Sequence, residues 1–270
     1  MVSWANASLR RLPAIRLAEL DERAALLTRF DRTYLMDVAN AEILLATMPR
    51  GTRVLDIDGR RSCAYSSTYL DTDCLTSYLG AALGRSGGFK VRFRRYENAG
   101  DEFLEIKTIR AGQTVKERVA LGATPAGGLT PEGDRFVRER LGAAGIYPPG
   151  PLHPVLRTRY ERTTLFLPET SSRITIDLQP AWHAVNSVAF VTCPRLAFVE
   201  TKSAHQTTSV DHLLWSLGHR PVSISKDVMG LAALNPALPR RRWKRVLDDW
   251  FADPALGLVG ESPPFAGDCA

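Results

Sequence analysis

The chain has 270 residues, 44% of them hydrophobic and 24% charged, enough to bury a sizeable core as one large domain or two small ones. Its 35 Lys and Arg outnumber 29 Asp and Glu, and the net charge of +6 favours an anionic partner over a cationic one. The four scattered cysteines (Cys63, Cys74, Cys193, Cys269) form no Cys-x-x-Cys pair, which argues against a zinc or redox motif and for reduced thiols.

No apolar run approaches the ~18 residues of a membrane-spanning helix. Met1 to Arg16 has arginines but no continuous apolar stretch or cleavage site, so no signal peptide is expected and the location expected is cytoplasmic. Association with a membrane partner stays open, as does oligomeric state. Residues 1–24 read as a loosely attached arm, 25–250 as the folded domain and the Pro- and Gly-rich 251–270 as a tail.

In chain order, Asp37–Met48 is a short amphipathic helix that stops before Pro49. Asp73–Gly84 is a second, which Asp71-Thr72 can cap. Next comes a strand, Phe89-Lys90-Val91-Arg92-Phe93-Arg94-Arg95-Tyr96. Its period of two puts Lys90, Arg92 and Arg94 on one face and Phe89, Val91 and Phe93 on the other. Phe103-Leu104-Glu105-Ile106-Lys107 sets Glu105 and Lys107 opposite two apolar residues, and Val115–Val119 puts Lys116 and Arg118 together.

A Pro and Gly cluster at Ala123–Gly128 precedes a helix over Pro131–Ala144, with Thr130 as its cap and Pro in the first turn. A second cluster, Tyr147–Pro154, divides the chain into halves. Beyond it, Arg157–Arg162 puts Tyr160 and Arg162 on one face, and Arg173–Asp177 sets Arg173, Thr175 and Asp177 opposite two isoleucines. Phe198-Val199-Glu200-Thr201-Lys202 echoes the earlier Glu-x-Lys strand. Helices over Thr208–Leu217 and Leu238–Trp250 close the pattern, the second entered through the basic run Arg240–Arg245, read as a solvated helix start.

One charged face on a half-solvated sheet is ordinary. Six, rich in the Arg that makes bidentate contacts with phosphate, call for a ligand. The architecture that supplies one is an eight-stranded antiparallel β-barrel with flanking helices, an α+β fold whose charged interior takes a polyanion. Glu105, Asp177 and Glu200 are hard oxygen ligands suited to Mg²⁺ or Mn²⁺, or else partners of the neighbouring arginines. An exposed basic patch with interleaved aromatics is not found, so nucleic acid is not the expected partner.

The motifs also resemble a known family. Phe30-Asp31-Arg32-Thr33-Tyr34, Ser67–Thr72, Val91–Tyr96, Phe103–Lys107, Tyr160-Glu161-Arg162, Arg173–Asp177, Phe198–Lys202 and Ser225-Lys226 are similar to, and ordered as in, the VTC domain of polyphosphate polymerases. That family lies within the triphosphate tunnel metalloenzymes (CYTH-like). The resemblance covers roughly residues 28 to 235 and implies a tunnel that binds triphosphate or polyphosphate with a divalent metal.

Carried over by position, Arg92, Arg94, Lys107, Arg162, Arg173, Lys202 and Lys226 would act on phosphate as the catalytic set. Lys90, Arg32, Lys116, Arg118, Tyr160 and Ser225 would bind substrate, and Glu200 and Glu105 would take the Mn²⁺ or Mg²⁺. The implied reaction moves the γ-phosphate of ATP onto inorganic polyphosphate. Thr33 stands where the family usually has Lys, and Ile109 where it has His, which puts catalytic rate rather than binding in question. A triphosphatase and a non-catalytic sensor are the alternatives. The first is disfavoured because Phe30–Tyr34 has one carboxylate and no Glu-x-Glu.

Overall fold

Alternation of apolar and charged residues, together with the capping residues, produces strands and helices along most of the chain. A computed structural model describes residues 8–24, 30–85, 88–110, 113–120, 128–185, 187–204 and 207–251. Cys269, positions 123–127 of the first Pro and Gly cluster and the expected tail apart from Phe251 lie outside the described residues.

The first part of the chain forms β1 (Ala14–Ile15), α1 (Leu17–Arg23), β2 (Phe30–Asp37), α2 (Val38–Ala46), β3 (Arg53–Leu55), β4 (Cys63–Asp71) and α3 (Thr76–Ala82). Then come β5 (Phe89–Tyr96), β6 (Glu102–Arg110), β7 (Gln113–Ala120), α4 (Pro131–Ala143), β8 (His153–Leu167) and β9 (Ser172–Ala184). The last elements are β10 (Phe190–Thr192), β11 (Leu196–Ser203), α5 (Ser209–Ser216), α6 (Lys226–Leu234) and α7 (Lys244–Phe251). They fall into two compact units, each assembled from separate stretches of sequence. Tyr147–Pro154 therefore does not divide the chain into halves: the long strands β8 and β9 each contribute to both units.

The first unit comprises Met1–Ala64, Tyr160–Pro180 and Pro194–Ile224. Its sheet has β11 antiparallel between β2 and β9, with β8 beside β9. Tyr34, Met36, Ile174, Ile176, Ala197 and Val199 turn to one side and pack with Val210 and Leu214 of α5. Thr208 caps α5 through a reciprocal box with Asp211. Within the stretch expected to be a loose arm, Ala14–Arg23 makes ordered contacts. Leu20 of α1 is buried with Ile15, Leu55 and Phe166, β1 pairs with β3, and Arg53 reaches Glu19.

The second unit comprises Tyr65–Arg159, Ala181–Cys193 and Ser225–Ala270. Here β4, β5, β6 and β7 follow one another as an antiparallel meander. Phe89, Val91, Phe93, Leu104 and Ile106 pack against Val137 and Leu141 of α4. Thr130 caps α4 by accepting from the Gly133 N–H at 3.1 Å. At α3 the capping reaches further than the adjacent residue: Thr72 accepts from Thr76 N–H, and Asp71 from Ser77 and Tyr78 N–H.

The fold is thus α+β on an antiparallel sheet with flanking helices. Among the described residues β2 and β7 each pair on one side only, so the pairing that would close the expected barrel is not among those observed. Cys74 is disulfide-bonded, against the expectation of four reduced thiols; pairing depends on spatial proximity, which scattered spacing does not reveal. Cys63 and Cys193 carry unbridged thiols. No helix among the described residues is long and apolar enough to cross a membrane.

Candidate functional site

In the second unit, committing Phe89, Val91 and Phe93 to the core commits Lys90, Arg92 and Arg94 to the opposite face. Pairing register then lays the charges out in rows. Lys107 stands opposite both Lys90 and Lys116, and Glu105 opposite both Arg92 and Arg118. Like charges directly opposite are unfavourable, so this face of six cations has to be held together by something anionic. Glu105 supplies the first instalment. Its side chain is 2% exposed, its Oε2 accepts from Arg92 Nε and Nη2 at 2.8 and 2.7 Å, and its Oε1 accepts from Lys116 Nζ at 2.6 Å. Arg94 Nε lies 3.7 Å away.

Burial alone would raise the Glu105 pKa, but Arg92, Arg94 and Lys116 more than offset it and hold the carboxyl well below the usual range. Lys116 shows the excess of positive charge. Burial, reinforced by Arg92 and Arg94 and opposed by Glu105, brings its pKa down to about 7. Around this centre Arg92 also donates to Tyr69 OH at 3.0 Å, Arg118 lies over the Phe103 ring at 4.9 Å, and Lys90 reaches Ser225 Oγ (2.5 Å) and Asp227 Oδ1 (2.8 Å).

In the first unit the face away from the core carries Glu200 and Lys202, flanked by Thr33 and Asp31 on β2 and by Thr175 and Arg173 on β9. Lys202 Nζ lies 2.5 Å from Glu200 Oε2 and 3.4 Å from Thr175 Oγ1. Burial lowers the Lys202 pKa, with Glu200 and Asp31 acting in opposition. Arg162 grips the fully buried Asp177 through two bonds of 2.6 and 2.7 Å and lies over the Tyr160 ring at 5.2 Å. Arg173 donates to Leu20 O (3.1 Å) and Asp21 Oδ1 (2.8 Å) of α1, while its buried Nε has no hydrogen-bond partner among the described residues.

The structure therefore gathers Lys90, Arg92, Arg94, Lys107, Lys116 and Arg118 on one face, and Tyr160, Arg162, Arg173, Glu200 and Lys202 on another. Ser225 and Lys226 open α6, beside Lys90. Arg32 does not join them. It shares the core side of β2 with Tyr34 and Met36, its Nη1 3.6 Å from the buried Asp211, which also accepts from Tyr34 OH and Thr201 Oγ1 at 2.7 Å each. Sequence reasoning missed Asp211 and Asp227. For Asp211 a signal existed, the spacing Thr208-x-x-Asp211 at the start of an expected helix.

Both Glu105 oxygens are taken by cations, so this residue serves as their counter-ion and does not offer a ligand set for the Mn²⁺ or Mg²⁺ expected there. Among the described residues no three His, Cys, Asp or Glu side chains cluster as a metal cage. Glu200 meets the Lys202 ammonium through one oxygen, Nζ at 2.5 Å from Oε2, and Asp31 stands opposite that lysine. That donor set fits a divalent ion that brings most of its ligands as water and phosphate oxygens, as Mg²⁺ does.

A comparison with protein families matches the VTC domain over residues 21–235. The chain belongs to the VTC domain family. Both charged faces lie within the VTC match, and α7 lies beyond it. A comparison with curated proteins gives no match. Among solved structures the chain is similar to a proposed adenylate cyclase from Bacillus halodurans, 12% identical, TM-score 0.47, covering 72% of this chain and 92% of that one. A Pyrococcus horikoshii protein is 14% identical with TM-score 0.41, covering 75% and 98%. A proposed adenylyl cyclase from Hippeastrum with a dominant triphosphatase activity is 11% identical with TM-score 0.42, covering 76% and 96%.

Proposed function

We propose that this VTC-domain protein binds triphosphate and polyphosphate chains on its basic faces and transfers the γ-phosphate of ATP to the end of a polyphosphate chain. The observation that carries the reading is the β5–β7 face, where six cations line up in rows and Glu105, the carboxylate of those rows, meets Arg92, Arg94 and Lys116. A string of phosphates is the ligand whose charge and spacing meet such rows, and Arg offers the bidentate geometry.

Phosphoryl transfer asks the protein chiefly for positioning and charge neutralisation. Arg92, Arg94, Lys107 and Lys116 hold non-bridging oxygens in the second unit, with Lys90, Arg118, Ser225 and Lys226 bordering them. Arg162, Arg173 and Lys202 do so in the first, Tyr160 lying under the Arg162 guanidinium. A terminal polyphosphate oxygen attacks the γ-phosphorus, the bond to the bridging oxygen breaks, and ADP leaves. Glu200 would hold a Mg²⁺ or Mn²⁺, which when bound would supply charge neutralisation to the phosphates. The cytoplasm, where ATP is at hand, suits this chemistry.

Thr33 supports a second reading. It stands directly opposite Glu200, where the family pattern has a lysine, and the loss of that cation favours hydrolysis or plain binding over transfer. Incubation with ATP and Mn²⁺ or Mg²⁺, with polyphosphate followed on gels and free phosphate by release, separates the readings. Ladders that disappear in Glu200→Ala support transfer. Free phosphate without ladders indicates a triphosphatase, and tight binding without turnover a sensor.

A further inference from the structure

Helix α6 begins at Lys226, one of the residues assigned to phosphate, and all nine of its residues are buried. Trp182 and Lys90 fix the start of this helix. Trp182 of β9, fully buried, donates its indole Nε1–H to the Lys226 carbonyl at 2.8 Å. One turn on, the indole lies so close to the helix backbone that a Cβ on Gly230 would sit 2.2 Å from Trp182 Cδ1 and 2.7 Å from Cγ. Phe251 backs the indole edge-to-face at 5.5 Å. On the other side, Lys90 ties Ser225 and Asp227, the residues on either side of Lys226, to β5.

A tryptophan wedged on a glycine, with its one donor spent on the carbonyl of a binding lysine, does more than fill space. Lysine carries a flexible four-carbon stem, and a fixed backbone beneath it reduces what has to be ordered when a ligand arrives. We propose that Trp182 is a positioning residue for phosphate binding: wedged against Gly230 and bonded to the Lys226 carbonyl, its indole fixes the turn from which Lys226 projects. The inference rests on the phosphate-binding reading above and adds to it a residue in no charged row and no family motif.

The test is calorimetric titration of sodium tripolyphosphate into the full chain and four variants, each checked for cooperative unfolding. Trp182→Phe keeps an aromatic ring but lacks the donor, and it weakens binding about five- to tenfold, the scale of one net hydrogen bond. Gly230→Ala, which displaces the indole, weakens binding in the same direction. In a Lys226→Met background, Trp182→Phe then changes the affinity less than twofold, because the residue it positions is gone.

A Trp182→Phe protein that binds like wild type overturns the inference. So does an equal loss with and without Lys226, which would mark Trp182 as merely structural. Failure of the wild-type protein to bind tripolyphosphate overturns the phosphate reading itself, and this inference with it.

Discussion

Glu105 and Lys116 meet diagonally across β6 and β7, Oε1 to Nζ at 2.6 Å, although the register sets Glu105 opposite Arg118 and Lys116 opposite Lys107. The diagonal lets a single carboxylate serve Lys116 with one oxygen and Arg92 with the other. This acid offsets the charge at the centre of the basic face, as Asp227 does for Lys90 at its edge.

Glu105→Gln keeps the shape and removes the charge. We expect a loss of about 2–3 kcal/mol in urea unfolding, since the partly buried cations lose their counter-ion. Added tripolyphosphate restores most of that loss by supplying anionic oxygens. An unchanged midpoint would mean that Glu105 does not hold the face together.

The Lys116 ammonium, its pKa pulled from 10.5 to about 7, links stability and binding to pH in opposite directions. Between about pH 7 and 10.5 the unfolded chain keeps a proton that the folded one has released, so this group makes stability rise with pH over that window. A bound polyanion favours the charged lysine, so binding takes up a proton at pH 8 and weakens as pH rises above 7. Calorimetry at pH 8 in buffers of different ionisation enthalpy reads that proton, and Lys116→Met removes it. Equal proton uptake by the two proteins would assign it elsewhere.

The charged faces were legible in the sequence because a period of two needs no knowledge of neighbours: Lys90, Arg92 and Arg94 follow from Phe89, Val91 and Phe93. The partners of Glu105 were not, since register and diagonal pairing are set by other strands. Arg32 stands apart from the charged rows, and its parity with the core residues Tyr34 and Met36 was the signal for that. Helix α6 went unseen because all nine of its residues are buried, leaving no polar face to show a helical period. The caps at Thr130 and Thr208 were readable because they act within four residues of themselves.

Asp211 joins Tyr34, Thr201 and Thr208 in one buried network next to Arg32. Asp211→Ala leaves several donors without an acceptor and costs about 3 kcal/mol. Thermal unfolding measures it; a melting temperature within a degree of wild type would show that water replaces the carboxylate without penalty.

Thr33 lies directly across from Glu200, so Thr33→Lys restores a cation beside it. Tripolyphosphate affinity should rise about tenfold, the scale of one charged contact, and any phosphoryl-transfer rate should rise with it. Unaltered affinity and rate would show that this position faces no phosphate.

The most direct test of the phosphate-binding claim is calorimetric titration of tripolyphosphate into wild type and into Arg92→Gln/Arg94→Gln, which removes two charges from the β5 row. The account predicts binding by wild type and a loss of about 100-fold in the double variant, two charged contacts' worth. Equal affinity in the two proteins, or no binding by either, would contradict it.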